Sequence, residues 1–307
     1  MAVAFLFPGQ GSQAVGMCRD LYERSDAARK VFDDADKAIG FSLSDLCFYG
    51  PEEELELTVN SQPAILTASM ACFEAAREML GDKFPKALAM AGHSLGEYSA
   101  LTAAGALRFS DAVKLTAARG KAMHEAGLLQ PGAMAAVIAM DDSLLEDFCK
   151  DTGTYIANLN CPGQTVISGS RENIEQACRT ARPRGAKLAR QLKVSGAFHS
   201  PLMTEAKKRF EPLIDSAQIL AADTPVVANT TAKTIFEPQS IKTELRDQIC
   251  GCVRWTDTIK AMADMGIDTF IEFGPGEVLT GMVKRMLPNA RLLNVRGCED
   301  IPKLADI

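Results

Sequence analysis

Residues 87–107 restrict the fold of this chain more than any other stretch. An apolar run from Ala87 to Ala91 passes directly into Gly92-His93-Ser94-Leu95-Gly96, and an alanine- and leucine-rich stretch continues to Leu107. A short apolar run closed by glycine reads as a buried strand, and the stretch that follows reads as a helix. Strand, sharp turn and helix in immediate succession form the joint of an α/β sheet. The same joint recurs where the strand 269–273 runs into Gly274-Pro275-Gly276 and a helix ending near Met286. A third apolar run, residues 3–7, is stopped by Pro8-Gly9; it has no basic flank and is far shorter than the roughly 18 residues of a membrane span, so it too reads as a buried strand.

Pro131-Gly132 opens a different pattern. Six elements follow: strand 133–140, helix 142–150, strands 155–159 and 165–168, helix 172–182 and strand 187–194. The order βαββαβ is that of a split, ferredoxin-like unit, which places a small subdomain at residues 130–196. The flanking segments, 1–129 and 197–307, then make up one large α/β domain. In it the spacing predicts helices over 17–39, from Ser61 with Pro63 in the first turn, from a Ser110-Asp111 cap to about Ala126, and over 201–216, 240–250 and 256–265, with a strand at 226–228.

At 307 residues, 47% hydrophobic and 23% charged, the chain can bury a large core. Its 33 basic and 39 acidic side chains give a net charge of −6, without the basic excess that nucleic-acid binding requires. The nine cysteines are odd in number and include no Cys-x-x-Cys, which favours a reduced, cytoplasmic setting, and with three histidines they give no metal-ligand pattern.

Gly-x-Ser-x-Gly on a strand-to-helix turn exposes the serine hydroxyl, so Ser94 is the candidate nucleophile and the Leu95 amide an oxyanion donor. A serine nucleophile needs a base. His93 adjoins Ser94, where side chains diverge, and His124 lies among polar residues on a predicted helix. His199, in Gly196-Ala197-Phe198-His199-Ser200-Pro201, sits on a loop before a helix and is the best base. No single carboxylate stands out as a third member, and a main-chain carbonyl can serve instead. Arg119 is a lone helical arginine whose default is a solvated surface position; a substrate with a free carboxylate would give it a bidentate role.

Phe7-Pro8-Gly9-Gln10-Gly11-Ser12-Gln13, Gly92-His93-Ser94-Leu95-Gly96-Glu97, Gly196-Ala197-Phe198-His199-Ser200-Pro201 and Glu272-Phe273-Gly274-Pro275-Gly276 together resemble, in order and spacing, the malonyl-CoA:acyl carrier protein transacylase family. The resemblance implies an α/β-hydrolase-like large domain with an inserted ferredoxin-like subdomain. It implies Ser94 as nucleophile, His199 as base, Arg119 as clamp for the malonyl carboxylate, and the Gln10 and Leu95 amides as oxyanion hole. It implies that the main-chain carbonyl of Arg254 orients His199, that Asn160 lies near the acyl pocket, and that Phe198 favours malonyl over methylmalonyl. One departure is Gly251-Cys252-Val253, where relatives commonly have proline before the valine.

The expected reaction is ping-pong transfer of malonyl from malonyl-CoA to the phosphopantetheine thiol of acyl carrier protein, with no cofactor, nucleic acid or membrane involved, in a monomer. Lys187, Arg190 and Lys193 are candidates to meet an acidic carrier. A serine hydrolase shares nucleophile, base and oxyanion hole, and a non-catalytic carrier-protein scaffold is the third class.

Overall fold

The computed structural model describes residues 2–307, apart from the side chain of Asp142. In chain order its strands are β1 (Val3–Phe7), β2 (Ala87–Gly92), β3 (Gly132–Ile138), β4 (Tyr155–Cys161), β5 (Gln164–Ser170), β6 (Leu188–Gln191), β7 (Val226–Val227), β8 (Thr234–Ile235), β9 (Thr269–Phe273) and β10 (Arg291–Val295). Six form one sheet in the order β10-β9-β1-β2-β7-β8, parallel except for the β7–β8 pair. The other four form an antiparallel sheet in the order β4-β5-β3-β6, and two helices, Asp142–Thr152 and Arg171–Thr180, connect its strands. This is the split βαββαβ arrangement expected from the sequence.

The central parallel strands are mostly apolar because helices cover both faces of their sheet; the buried Glu272 of β9 is held by the Leu279 and Thr280 amides. Every residue of β1 and β9 is buried. Phe5 and Phe7 point to one side, where edge-to-face contacts with Phe73 at 6.0 and 6.2 Å begin an aromatic cluster completed by Phe84 and Phe273. Ala4 and Leu6 point to the other, into a core with Trp255, Ile259 and Phe270. Alternation along one strand thus anchors two hydrophobic layers, and truncating one such buried phenylalanine to alanine costs about 3–5 kcal/mol. Among the described residues no helix is long and apolar enough to cross a membrane.

Several boundaries differ from the sequence reading. The helix expected from Ser61 runs Thr58–Leu80, so Pro63 is interior to it. Its first turn lies against the crossing helix Phe109–Leu129 at Gly120, where a Cβ would come within 2.5 Å of the Thr58 carbonyl; packing extends the helix ahead of its proline. The helix expected over 17–39 is two, Arg19–Arg24 and Asp26–Ile39, because the Ser25 side chain accepts from the Ala28 amide and starts the second. The edge strands β8 and β10 were not expected.

The two sheets meet beside the elbow. The Leu159 amide donates to the Val253 carbonyl (2.9 Å) and the Val253 amide to the Ala157 carbonyl (2.8 Å), docking β4 on the loop before the helix Trp255–Asp264.

Candidate active site

At the end of β2 the backbone turns so sharply that only glycine fits at two of its positions. Ser94 has φ +52°, in the left-handed region. A Cβ on Gly92 would lie 1.8 Å from the Gly96 carbonyl oxygen, and one on Gly96 would lie 2.1 Å from that of Phe7. Gly92→Ala should therefore cost about 3 kcal/mol or more, the upper range for forcing atoms into a packed site; chemical denaturation of the variant measures this. The helix Gly96–Ala103 follows at once.

Ser94 Oγ lies 2.7 Å from His199 Nε2. The imidazole Nδ1 faces two main-chain carbonyls, Gln248 at 2.9 Å and Gly251 at 3.1 Å. Carbonyls only accept, so the ring proton sits on Nδ1 and the Nε2 lone pair is left to receive the serine proton. The sequence reading assigned this orienting role to the carbonyl of Arg254, which the geometry corrects. That carbonyl accepts from the Thr258 amide in the first turn of the Trp255–Asp264 helix, and the Arg254 side chain pairs with Asp257. Both partners of Nδ1 are main-chain carbonyls, on residues other than Arg254.

Burial, and after it the Arg119 cation, push the His199 imidazole down to about 3, against the pull of its two carbonyl partners. A lowered value keeps the base neutral above that pH. The acid limb of kcat/KM should accordingly fall far below the usual histidine range near 6.5, leaving activity flat from about pH 5 to 8. A pH–rate profile with its half-point near 6.5 would contradict this.

Arg119, expected by default at the surface, is 1% exposed. Its Nη1 donates to Gln62 Oε1 (2.8 Å) and its Nη2 to Gln248 Oε1 (2.9 Å). Nη1 keeps its second N–H and Nε has no partner, while the second N–H of Nη2 donates to Ser94 Oγ at 3.3 Å. The guanidinium lies 5.7 Å from the Tyr98 ring centroid. A cation held this way by neutral amides stands beside the serine hydroxyl.

Ser94, His199 and Arg119 open on a cavity of about 610 Å³ between the two sheets, walled by Met134, Val166, Phe198 and Met282. Asn160 lines it too, but its Oδ1 is engaged with His93 Nε2 at 2.9 Å. His93, read from sequence as a turn residue, thus belongs to the cavity wall and packs 5.4 Å from the Trp255 ring. Gln10 and Leu95 line the same space, and the main-chain amide of neither has a hydrogen-bond partner among the described residues. Lys187, Arg190 and Lys193 are exposed on and around the edge strand β6, Lys193 at the cavity mouth.

The sequence reading missed Gln62, Glu97, Asn229 and Gln248, all buried. Asn229 Oδ1 accepts from the Ser94 amide (2.7 Å) and its Nδ2 donates to the Gly92 carbonyl (2.8 Å), which pins the elbow from both sides. Only the adjacency of Glu97 to the elbow carried a signal for any of the four.

Residues 4–305 match the model of the acyl transferase domain. The chain is 46% identical to malonyl CoA-acyl carrier protein transacylase of Bacillus subtilis over 305 residues, covering 97% of this chain and 95% of that one. Its structure is similar to acyl-carrier-protein-S-malonyltransferase of Bartonella henselae, with a TM-score of 0.95, 39% identity and complete coverage of both chains. It is also similar, at a TM-score of 0.94 and 35% identity, to a malonyl-transacylase solved in complex with its type II PKS acyl-carrier protein, covering 100% of this chain and 99% of that one.

Proposed function

Because this chain belongs to the malonyl CoA-acyl carrier protein transacylases of the acyl transferase family, we propose that it transfers malonyl from malonyl-CoA to acyl carrier protein through an ester on Ser94. The observation that carries the chemistry is the 2.7 Å contact between Ser94 Oγ and an unprotonated His199 Nε2. Ser94 Oγ attacks the thioester carbonyl as His199 takes its proton. The tetrahedral oxygen is received by the Gln10 and Leu95 amides, and collapse expels the CoA thiolate, which takes the proton back from His199. The phosphopantetheine thiol of the carrier then repeats the sequence on the malonyl ester and leaves with the acyl group.

Arg119 supplies charge recognition. Its remaining N–H groups suit a carboxylate, and the nearby acids do not pair with it directly, so a malonyl carboxylate would be its ionic partner. Phe198 limits the room beside the acyl group, and Asn160 with His93 forms one polar stretch of the wall. Lys187, Arg190 and Lys193 offer an acidic carrier a positive edge beside the mouth. The working unit is a monomer in the cytoplasm, with residues 130–196 as a subdomain inserted between 1–129 and 197–307.

A serine hydrolase would use the same serine, histidine and amides, so the fate of the acyl-enzyme separates the two readings. With malonyl-CoA and holo acyl carrier protein, transfer to the carrier thiol should exceed release of free malonate. Release of malonate at a rate indifferent to the carrier would make the chain a hydrolase.

A further inference from the structure

Three buried groups behind Arg119 form a hydrogen-bonded chain whose donors converge on Glu97. It starts at the Asn229 amide, which donates to Glu97 Oε1 (2.9 Å). The other carboxylate oxygen, Oε2, accepts from Gln248 Nε2, which also donates to the Ser94 carbonyl at 2.8 Å. With its nitrogen so committed, the Gln248 amide must turn its oxygen to the Arg119 Nη2 (2.9 Å). Glu97, Asn229 and Gln248 are each 0% exposed, so no solvent offers alternative partners.

We infer that Glu97 is a positioning residue for acyl-charge selectivity: through Gln248 it holds Arg119 where a substrate carboxylate meets it beside Ser94. This rests on the reading of Arg119 as the carboxylate clamp. A carboxylate is required at position 97 because both of its oxygens must accept. Glutamine there would give its one oxygen to the Asn229 amide and turn its NH2 against the NH2 of Gln248. Either arrangement of the Gln248 amide then fails: unturned, two donors face each other; turned, its NH2 confronts Arg119 and its oxygen confronts the Ser94 carbonyl. The guanidinium loses its fixed seat in both cases. Burial first and the neighbouring Glu244 next push the Glu97 carboxyl well up, against the N–H donors on its two oxygens and the Arg119 cation. If the neutral acid were the working form, the neutral amide would imitate it.

The test compares kcat/KM for acyl-enzyme formation from malonyl-CoA and from acetyl-CoA, which lacks the carboxylate. Glu97→Gln should lower the malonyl value about tenfold, the scale of one displaced charge-assisted hydrogen bond, and change the acetyl value less than about threefold. Gln248→Met, which keeps the main-chain carbonyl on His199, should lower the same ratio and carries the test if Glu97→Gln does not fold. In an Arg119→Ala background neither change should lower the ratio further. A ratio unchanged by Glu97→Gln and Gln248→Met while Arg119→Ala collapses it overturns the inference and spares the clamp. Equal losses with both acyl groups would reduce the network to a structural role and also overturn it. If Arg119→Ala itself leaves the ratio unchanged, the clamp fails and the inference with it.

Discussion

Ser94→Ala should lower malonyl transfer by about 10⁶-fold, the scale observed when the serine of a serine–histidine enzyme is removed. Transfer here needs a covalent relay, because CoA must leave before the carrier thiol can occupy the same cavity; the remaining amides and binding groups have no oxygen to hold the acyl group. The hydroxyl is not part of the core. Ser94 is held by its own backbone, through Asn229 to its amide and Gln248 to its carbonyl, so the alanine variant should keep the wild-type unfolding midpoint. A scaffold that only binds carrier protein would tolerate the same change without consequence, and stopped-flow transfer measurements distinguish the two outcomes.

Arg119→Ala should lower kcat/KM for malonyl-CoA by about 10²- to 10⁴-fold, corresponding to two charge-assisted hydrogen bonds at about 1.5–3 kcal/mol each. Acetyl transfer should fall far less. The cation also helps hold the His199 imidazole low, so its removal should move the acid limb of the pH–rate profile upward. Removing it strands the oxygens of Gln62 and Gln248, so a loss of stability is expected as well. Arg119→Lys provides the control: it keeps a charge but lacks the planar fork, and should recover part of the pH profile and little of the malonyl preference. Equal malonyl and acetyl losses in Arg119→Ala would argue against charge recognition.

What could be read in advance follows the range of the interactions involved. The elbow is local: Gly92, Ser94 and Gly96 are constrained by neighbours within a few residues and by one adjoining strand, so five letters and their flanks sufficed. The βαββαβ unit was legible for the same reason, since each element carries its own periodicity. The orienting carbonyls of Gln248 and Gly251 were not, because any residue supplies a carbonyl and the choice is made by a loop brought to His199 from 49 and 52 positions away. Family likeness pointed to Arg254, a few residues downstream, where the helix claims the carbonyl. Burial of Arg119 was likewise hidden, for its partners Gln62 and Gln248 lie 57 and 129 positions distant and are ordinary glutamines in sequence. The extension of the Thr58–Leu80 helix past its proline depends on a crossing at Gly120 that no local pattern encodes.

The central claim is that Ser94 becomes a malonyl ester which the carrier thiol then removes. Intact-mass measurement of the protein mixed with malonyl-CoA, followed by peptide mapping, tests it most directly. One malonyl group on the peptide containing Ser94, absent from Ser94→Ala and discharged on adding holo acyl carrier protein, is the predicted result. An unmodified chain under conditions of active transfer, or a malonyl group mapped to another residue, would contradict it.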